Sequence, residues 1–303
     1  TDRVALMLRN RPEFLLSWIG IVKAGAVMVP LNVFYKTTDA GYLLNHAGVT
    51  RIICEDDLMH VVAKAVPSLV KNDAIITVGS KGSFNALLSD SPIDSPPITI
   101  TPESLANLQY TSGTTGQPKG CMLSNSYFLN FGWRVAIAHE GLNENDVMLT
   151  AQPFYYVDPQ WNCITSLLVG AKLIVLDRFH PSTFWNRIRE HNVTWFYCLG
   201  VMPKLLLKTP RQATDRVHQL CRVMCSGIPK RNHREIEERW GVPWYETFGM
   251  TETGLDISVP VAEHDELVGT GCIGRPFTTR EARVVDLNDQ PMPFGETGEL
   301  ILR

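Results

Sequence analysis

Short apolar runs closed off by glycine, proline or polar clusters alternate along this chain with stretches whose apolar positions recur at helical spacing. The first kind reads as buried strand and the second as amphipathic helix. Strand-like runs fall at 3–8, 27–30, 51–54 and 75–78. Between the first two, Asn10, Arg11, Pro12 and Glu13 form a helix start, with Asn10 as cap, Pro12 in the first turn and Glu13 three residues after the cap. Gly25 closes that helix, and another lies within 58–66. Residues 80–101 are polar and proline-rich and read as a connecting loop. Helices are then expected at 124–139, at 161–169 before Gly170, at 184–191 and from 203, and strands at 146–151, 172–176, 194–198 and 222–226. The segment 231–240, RNHREIEERW, reads as a helix with a solvated, charged face.

Alternation of this kind predicts an α/β fold with largely parallel sheets. From residue 271 the texture changes to short strands at 282–286 and 299–302 with tight turns. The expected organisation is paired α/β subdomains over 1–269 and the start of a β-rich subdomain over 270–303. The chain opens at Thr1 on a strand-like run and stops at Arg303 in what reads as mid-strand, so an excised piece of a longer protein is expected.

Composition narrows the functions. A net charge of -3 over 303 residues offers no basic field for nucleic acid, and apolar runs such as 14–22 are too short and interrupted to span a bilayer. Cysteines at 54, 121, 163, 198, 221, 225 and 272 lack zinc-type spacing, so reduced thiols and a cytoplasmic location are expected. The eight histidines are dispersed and read as ordinary surface or core residues.

Residues 110–120, YTSGTTGQPKG, carry the strongest chemical signal. Gly113, Gly116 and Gly120 let backbone approach an anion. Thr111, Ser112, Thr114 and Thr115 supply hydroxyl donors, and Lys119 supplies a mobile cation. A plain surface turn is the alternative. The Walker loop does not fit, because Pro118 precedes Lys119 and residues 121–123 continue as a strand rather than a helix. A strand-loop-strand phosphate clamp is therefore expected. A second signal is YETFGMTE at 245–252, where Phe248 beside Gly249 can stack on a purine, Thr251 can bond a phosphate oxygen and Glu252 can hold Mg²⁺. A third is CSGIPK at 225–230, whose Gly227 and Ile228 leave room for an adenine ring.

Together these motifs resemble the adenylate-forming superfamily of acyl-CoA synthetases, luciferases and peptide-synthetase adenylation domains. GCIGRP at 271–276, GETGELILR at 295–303 and the opening run from Arg3 to Asn32 are similar to further signatures of that family. Phe248 stands where the family more often has tyrosine. The resemblance implies two stacked αβαβα-type subdomains leading into a small β-barrel-like one. It implies ATP, Mg²⁺ and a carboxylic acid as reactants, with coenzyme A as co-substrate. It also implies ATP contacts from the residues of the three motifs, including Glu246 and Thr247, and catalysis through Thr251, Glu252 and Lys119. The lysine that completes adenylation lies, in the family, on a C-terminal domain beyond position 303, so little turnover is expected of these residues alone.

The acid is addressed by QPFYYVDPQWN at 152–162, where the family usually has Pro-x-Phe-His and Tyr156 replaces the histidine. Tyr155, Tyr156 and Trp161 around Asp158 could cage a quaternary ammonium group. With FWNRIREHNVTW at 184–195, this segment resembles the carnitine and crotonobetaine ligase branch. The competing account has Asp158 capping the next helix, with Pro159 in its first turn and the aromatics as core. A peptide-synthetase adenylation domain and a non-catalytic nucleotide-binding module are the rival functions.

Overall fold

The computed structural model describes every residue except 1, 67–69, 71–73, 81, 91–97, 113–115 and 139–140. It divides into two compact units. The first comprises residues 1–130, 150–164 and 175–179, and the second 131–149, 165–174 and 180–303. Residues 270–303 therefore group with the second unit.

In the first unit the chain runs β1 (Arg3–Met7), α1 (Pro12–Lys23), β2 (Val27–Pro30), α2 (Thr37–His46), β3 (Arg51–Glu55), α3 (Met59–Ala65), β4 (Ile75–Val78), α4 (Phe84–Asp90), β5 (Leu105–Thr111) and β6 (Lys119–Ser124). Its sheet has the order β4-β3-β1-β2-β5-β6, parallel up to β5, with β6 antiparallel at the edge. All four residues of β2 are buried, as expected of a strand covered on both faces.

The chain continues through α5 (Asn125–Ala138), β7 (Val147–Thr150), α6 (Val157–Val169), β8 (Lys172–Val175), α7 (Phe184–Glu190), β9 (Trp195–Leu199), α8 (Met202–Leu207), β10 (Arg222–Ser226), α9 (His233–Trp240), β11 (Trp244–Met250), β12 (Gly254–Ser258), α10 (His264–Leu267) and β13 (Arg275–Pro276). The second sheet has the order β13-β12-β11-β10-β9-β7-β8. Strands β7, β9, β10 and β11 are parallel neighbours, and β12 turns back antiparallel on β11. Its core is aromatic: Trp185 stacks on Trp240 at 4.7 Å, Trp240 on Trp244 at 5.8 Å, and Phe196 meets Trp244 edge-on at 5.7 Å. Strands β14 (Ala282–Val285) and β15 (Glu299–Leu302) form a two-stranded antiparallel ladder, and no barrel closes among the described residues. No helix of the described residues is long and apolar enough to cross a membrane.

The α/β expectation holds, with local corrections. Asn10 does not cap α1; the N-cap is Arg11, without a side-chain cap bond, because the Asn10 amide is bonded elsewhere. Helix α4 occupies part of the stretch read as a loop. Helix α2 escaped the pattern because Thr, Asp and Gly dilute it, although Ala40, Leu43 and Leu44 bury one face. Helix α6 starts at Val157, ahead of the expected 161. Helix α9 is not merely solvated. Arg239 is buried, donating to Asp215 at 2.8 Å and to the carbonyls of Leu207, Thr209 and Pro210 at 3.0, 3.0 and 2.9 Å. Truncating one partner of such a pair leaves an uncompensated buried charge. Arg239→Ala should therefore destabilise the protein by about 3–5 kcal/mol, and exposed Arg231→Ala by less than about 0.5 kcal/mol, as read by urea unfolding.

Candidate active site

The glycine- and hydroxyl-rich loop joins β5 to β6 as an antiparallel hairpin, with Thr111 paired to Lys119 and Tyr110 to Gly120. The strand-loop-strand expectation is met. Gly113, Thr114 and Thr115 lie outside the described residues; Ser112, Gly116 and Lys119 are exposed, and Thr111 is half-buried. Gly116 has φ +115°, a conformation only glycine adopts freely. The hairpin is braced from α2: His46 Nδ1 lies 2.7 Å from Tyr110 Oη, and Tyr42 Oη donates to Pro118 O at 3.4 Å. Burial pushes the Tyr110 hydroxyl up to about 12, so it stays protonated. Among the described residues no carboxylate pairs with Lys119, which leaves its ammonium for an anionic ligand.

The segment 152–162 of the same unit is held by side-chain amides whose partners sequence reasoning missed. Asn10 donates to Gln152 O at 2.9 Å and Leu176 O at 2.8 Å, and accepts Phe154 N–H at 2.8 Å. Gln160 Nε2 donates to Phe154 O and Gln109 Nε2 to Tyr155 O, both at 2.8 Å. Asn107 on β5 donates to Gln160 Oε1 at 2.8 Å. The strand that leads into the glycine- and hydroxyl-rich loop and the segment from Gln152 to Tyr155 are thus one hydrogen-bonded body. Tyr155 and Trp161 are buried, and Trp161 Nε1 donates to Tyr127 Oη at 3.2 Å; only Tyr156 of the three aromatics is exposed. Asp158 sits inside the first turn of α6 rather than at its cap, where its charge complements the helix dipole.

In the second unit the motifs at 225–230 and 245–252 meet at the C-terminal ends of β10 and β11, where parallel sheets place ligands. Glu246 Oε1 accepts Gly227 N–H and Oε2 accepts Ile228 N–H, each at 2.7 Å. Burial raises the Glu246 carboxyl, opposed by those two N–H groups and by His233. Gly227 has φ +93°, which explains glycine there. Thr247 is buried, with its hydroxyl donating to Cys225 O at 3.3 Å and lying 3.1 Å from Ser226 Oγ, which in turn accepts Tyr197 Oη–H at 2.8 Å. Phe248 is half-exposed at the strand end, beside an irregularity at Phe248/Gly249. A Cβ at Gly249 would overlap the carbonyl of Gly254, so only glycine fits. Thr251 and Glu252 occupy the hairpin turn, and Glu252 is exposed. Among the described residues nothing bonds the Glu252 carboxylate. A hard, oxygen-ligated cation such as Mg²⁺ brought in with ATP would fit it.

The fold also gathers His233, Glu237 and His264, whose ligand atoms lie within 4.8 Å of one another, a cluster the dispersed histidines did not announce. His233 is not free to bind a metal through them: its Nδ1 accepts Gly269 N–H at 3.3 Å and its Nε2 donates to Trp244 O at 2.8 Å. Glu237 is instead a hydrogen-bond hub, accepting Trp244 N–H at 2.7 Å and His264 Nε2–H at 2.8 Å. Burial pushes Glu237 up, but the bonds from His233, His264 and Trp244 outweigh it and bring the carboxyl to about 2. Burial pushes His264 down, and Glu237 and Asp265 outweigh it, so its value is raised.

A profile of the family described as AMP-binding enzyme matches residues 1–303. The chain is similar to a crotonobetaine/carnitine–CoA ligase of Escherichia fergusonii, with 28% identity over 322 residues, 100% of this chain and 60% of that protein. A ligase of the same description from Escherichia coli O45:K1 is 27% identical over 315 residues, with the same coverage. The fold is similar to that of ATP-bound MatB from Rhodopseudomonas palustris, with TM-score 0.89 and 24% identity, covering 100% of this chain and 60% of that one. It is also similar to a benzoate CoA ligase from Burkholderia xenovorans LB400, with TM-score 0.87 and 21% identity, covering 99% and 60%. The chain spans 60% of the length of the curated relatives it matches.

Glu246→Gln turns one acceptor into a donor facing a backbone N–H, and should lower the unfolding free energy, read by urea denaturation, by about 1.5–3 kcal/mol, the contribution of a bond to a charged group. The His264 contribution to stability, from a raised value, is full below its unfolded pKa of about 6.5 and fades as pH rises past the folded one. His264→Gln should flatten the fall in unfolding free energy as pH rises above about 6.5.

Proposed function

Since the chain belongs to the AMP-binding enzyme family, we propose that it forms the nucleotide- and acid-binding part of an ATP-dependent acid–thiol ligase, an acyl-CoA synthetase. The observation that carries the reading is the Glu246 clamp: it shapes the Gly227–Ile228 backbone while the same strand runs on into Phe248, Gly249, Thr251 and Glu252. Phe248 offers a face for adenine, and exposed Gly227, which carries no side chain, leaves room at its edge. Ser112, Thr111 and Lys119 of the β5–β6 loop offer donors and charge to phosphate oxygens.

The chemistry asks little covalent work of the protein. A carboxylate oxygen of the acid bonds to the α-phosphorus of ATP, the bond from that phosphorus to the bridging oxygen breaks, and pyrophosphate leaves. The thiolate sulfur of coenzyme A then bonds to the acyl carbon and AMP leaves with the electron pair. Two anions must approach in the first step, so orientation and charge neutralisation dominate. Glu252 would hold Mg²⁺, which supplies charge neutralisation on the phosphates when bound. Thr251 and Lys119 orient phosphate oxygens.

For the acid, we favour a short carboxylate bearing a fixed cation, of the carnitine type. Exposed Tyr156 and half-buried Asp158 support this, together with the description of the relatives. Buried Tyr155 and Trp161 reduce the cage to those two residues. The test is ATP–pyrophosphate exchange by the full-length gene product across cationic, aromatic and aliphatic acids. Exchange should be strongest with cationic acids, Asp158→Asn should cost about tenfold with those alone, and Glu252→Gln about 100-fold with all. Exchange driven by amino acids points to a peptide-synthetase adenylation domain. ATP binding without exchange points to a non-catalytic module.

A further inference from the structure

Two arginines from distant parts of the sequence converge on β12, next to the turn that carries Thr251 and Glu252. Arg134, on α5, is buried, and donates from Nη1 to Leu255 O at 3.2 Å and from Nε to Thr279 Oγ1 at 3.1 Å. Arg280 brings its Nε to 2.9 Å from Asp256 Oδ1, a charge contact without hydrogen-bond alignment, and donates from Nη2 to Thr253 O at 2.5 Å. Asp256 is fully buried and accepts the hydroxyl hydrogen of Thr253. Its backbone is tied to the same region, with Phe277 N–H donating to Asp256 O at 3.0 Å and Arg280 N–H to Phe277 O at 2.8 Å.

A carboxylate withdrawn from water costs stability, and well-packed apolar residues would serve a purely structural purpose at least as well. The geometry gives the pair a more specific task. Thr253 is bonded at its carbonyl by Arg280, at its hydroxyl by Asp256, and at its N–H by Met250 O at 3.2 Å. The preceding side of the hairpin has no slack either, because Gly249 lies against the Gly254 carbonyl. Thr251 and Glu252 are then the turn residues whose side chains make no bond to any described residue. Both flanks are fixed, Thr251 is half-buried and Glu252 is exposed.

We propose that Arg280, acting through Asp256 and Thr253, is a positioning residue that sets the direction of Thr251 and Glu252 toward Mg²⁺·ATP. This rests on reading the protein as an ATP-dependent ligase. The sequence motif ends at Glu252, so the device lies outside it: one member four residues on, the other in the loop before β14.

The test uses the full-length protein with Arg280→Gln, Arg280→Lys and Thr253→Val. Thr253→Val deletes only the hydroxyl that Asp256 accepts, and keeps the experiment decisive if Arg280→Gln fails to fold. Two readouts are taken: amide hydrogen exchange at residues 251–253, and the Mg²⁺ concentration giving half-maximal pyrophosphate exchange. A small misplacement of a binding group can cost orders of magnitude. Arg280→Gln and Thr253→Val should each quicken amide exchange at the turn and raise the Mg²⁺ requirement, by about tenfold, with β10 amides unchanged. Arg280→Lys, which keeps a cation for Asp256, should recover part of both shifts. Unaltered turn exchange together with an unaltered Mg²⁺ requirement in Thr253→Val would overturn the proposal. If the parent protein exchanges pyrophosphate with no acid, the ligase reading fails, while the amide measurement still decides the clamp.

Discussion

The carboxylate of Glu246 accepting the N–H groups of Gly227 and Ile228 is the contact on which the candidate nucleotide site depends. Two adjacent backbone donors at the end of a parallel strand would otherwise seek water or an anion. Satisfying both from one carboxylate holds the loop after β10 in a single shape, with Gly227 at positive φ. Because Glu246 is itself part of β11, that shape is locked to the strand bearing Phe248 and, one turn later, Thr251 and Glu252. A raised carboxyl with two charge-assisted bonds is a compromise between burial and geometry. The fold accepts the desolvation of Glu246 because the two N–H groups return much of what water would have given.

The same economy of means recurs in the first unit. There the groups are neutral amides rather than a carboxylate: Asn10, Gln109 and Gln160 carry backbone groups of residues 152–155, and Asn107 braces Gln160 through its side-chain oxygen. Irregular backbone that is not laddered into a sheet still needs partners, so side chains from β5 and α6, and Asn10 two residues ahead of α1, take over. Precise placement of a loop is thereby obtained without making it part of a regular element.

Much of this was legible in the sequence, and what was not has a consistent cause. Alternating strand and helix patterns placed β2, β4 and β10 at their observed ends, since buried parallel strands are continuous apolar runs. The hairpin bearing YTSGTTGQPKG followed from Pro118 and the strand-like residues after it. Long-range polar partners were illegible. Asn10 reads as a cap because an asparagine two residues ahead of a proline is a common helix start; its true partners lie 142 residues and more away. Arg239 reads as solvated because its alternating neighbours are charged, and only the fold brings Asp215 to it. His264 carries no spacing signal toward Glu237, yet the two share a hydrogen. Local pattern records what a residue does for its own element, and these residues work for another one.

The central claim is that Glu246 organises the loop after β10 at the candidate nucleotide site. Its most direct test is an NMR titration of the Gly227 and Ile228 amide resonances with pH. Both amides donate to one carboxylate, so they should shift together in one transition, at a pH above the ordinary glutamate value, and the transition should vanish in Glu246→Gln. Amides that titrate independently of each other, or a transition that survives Glu246→Gln, would contradict the account.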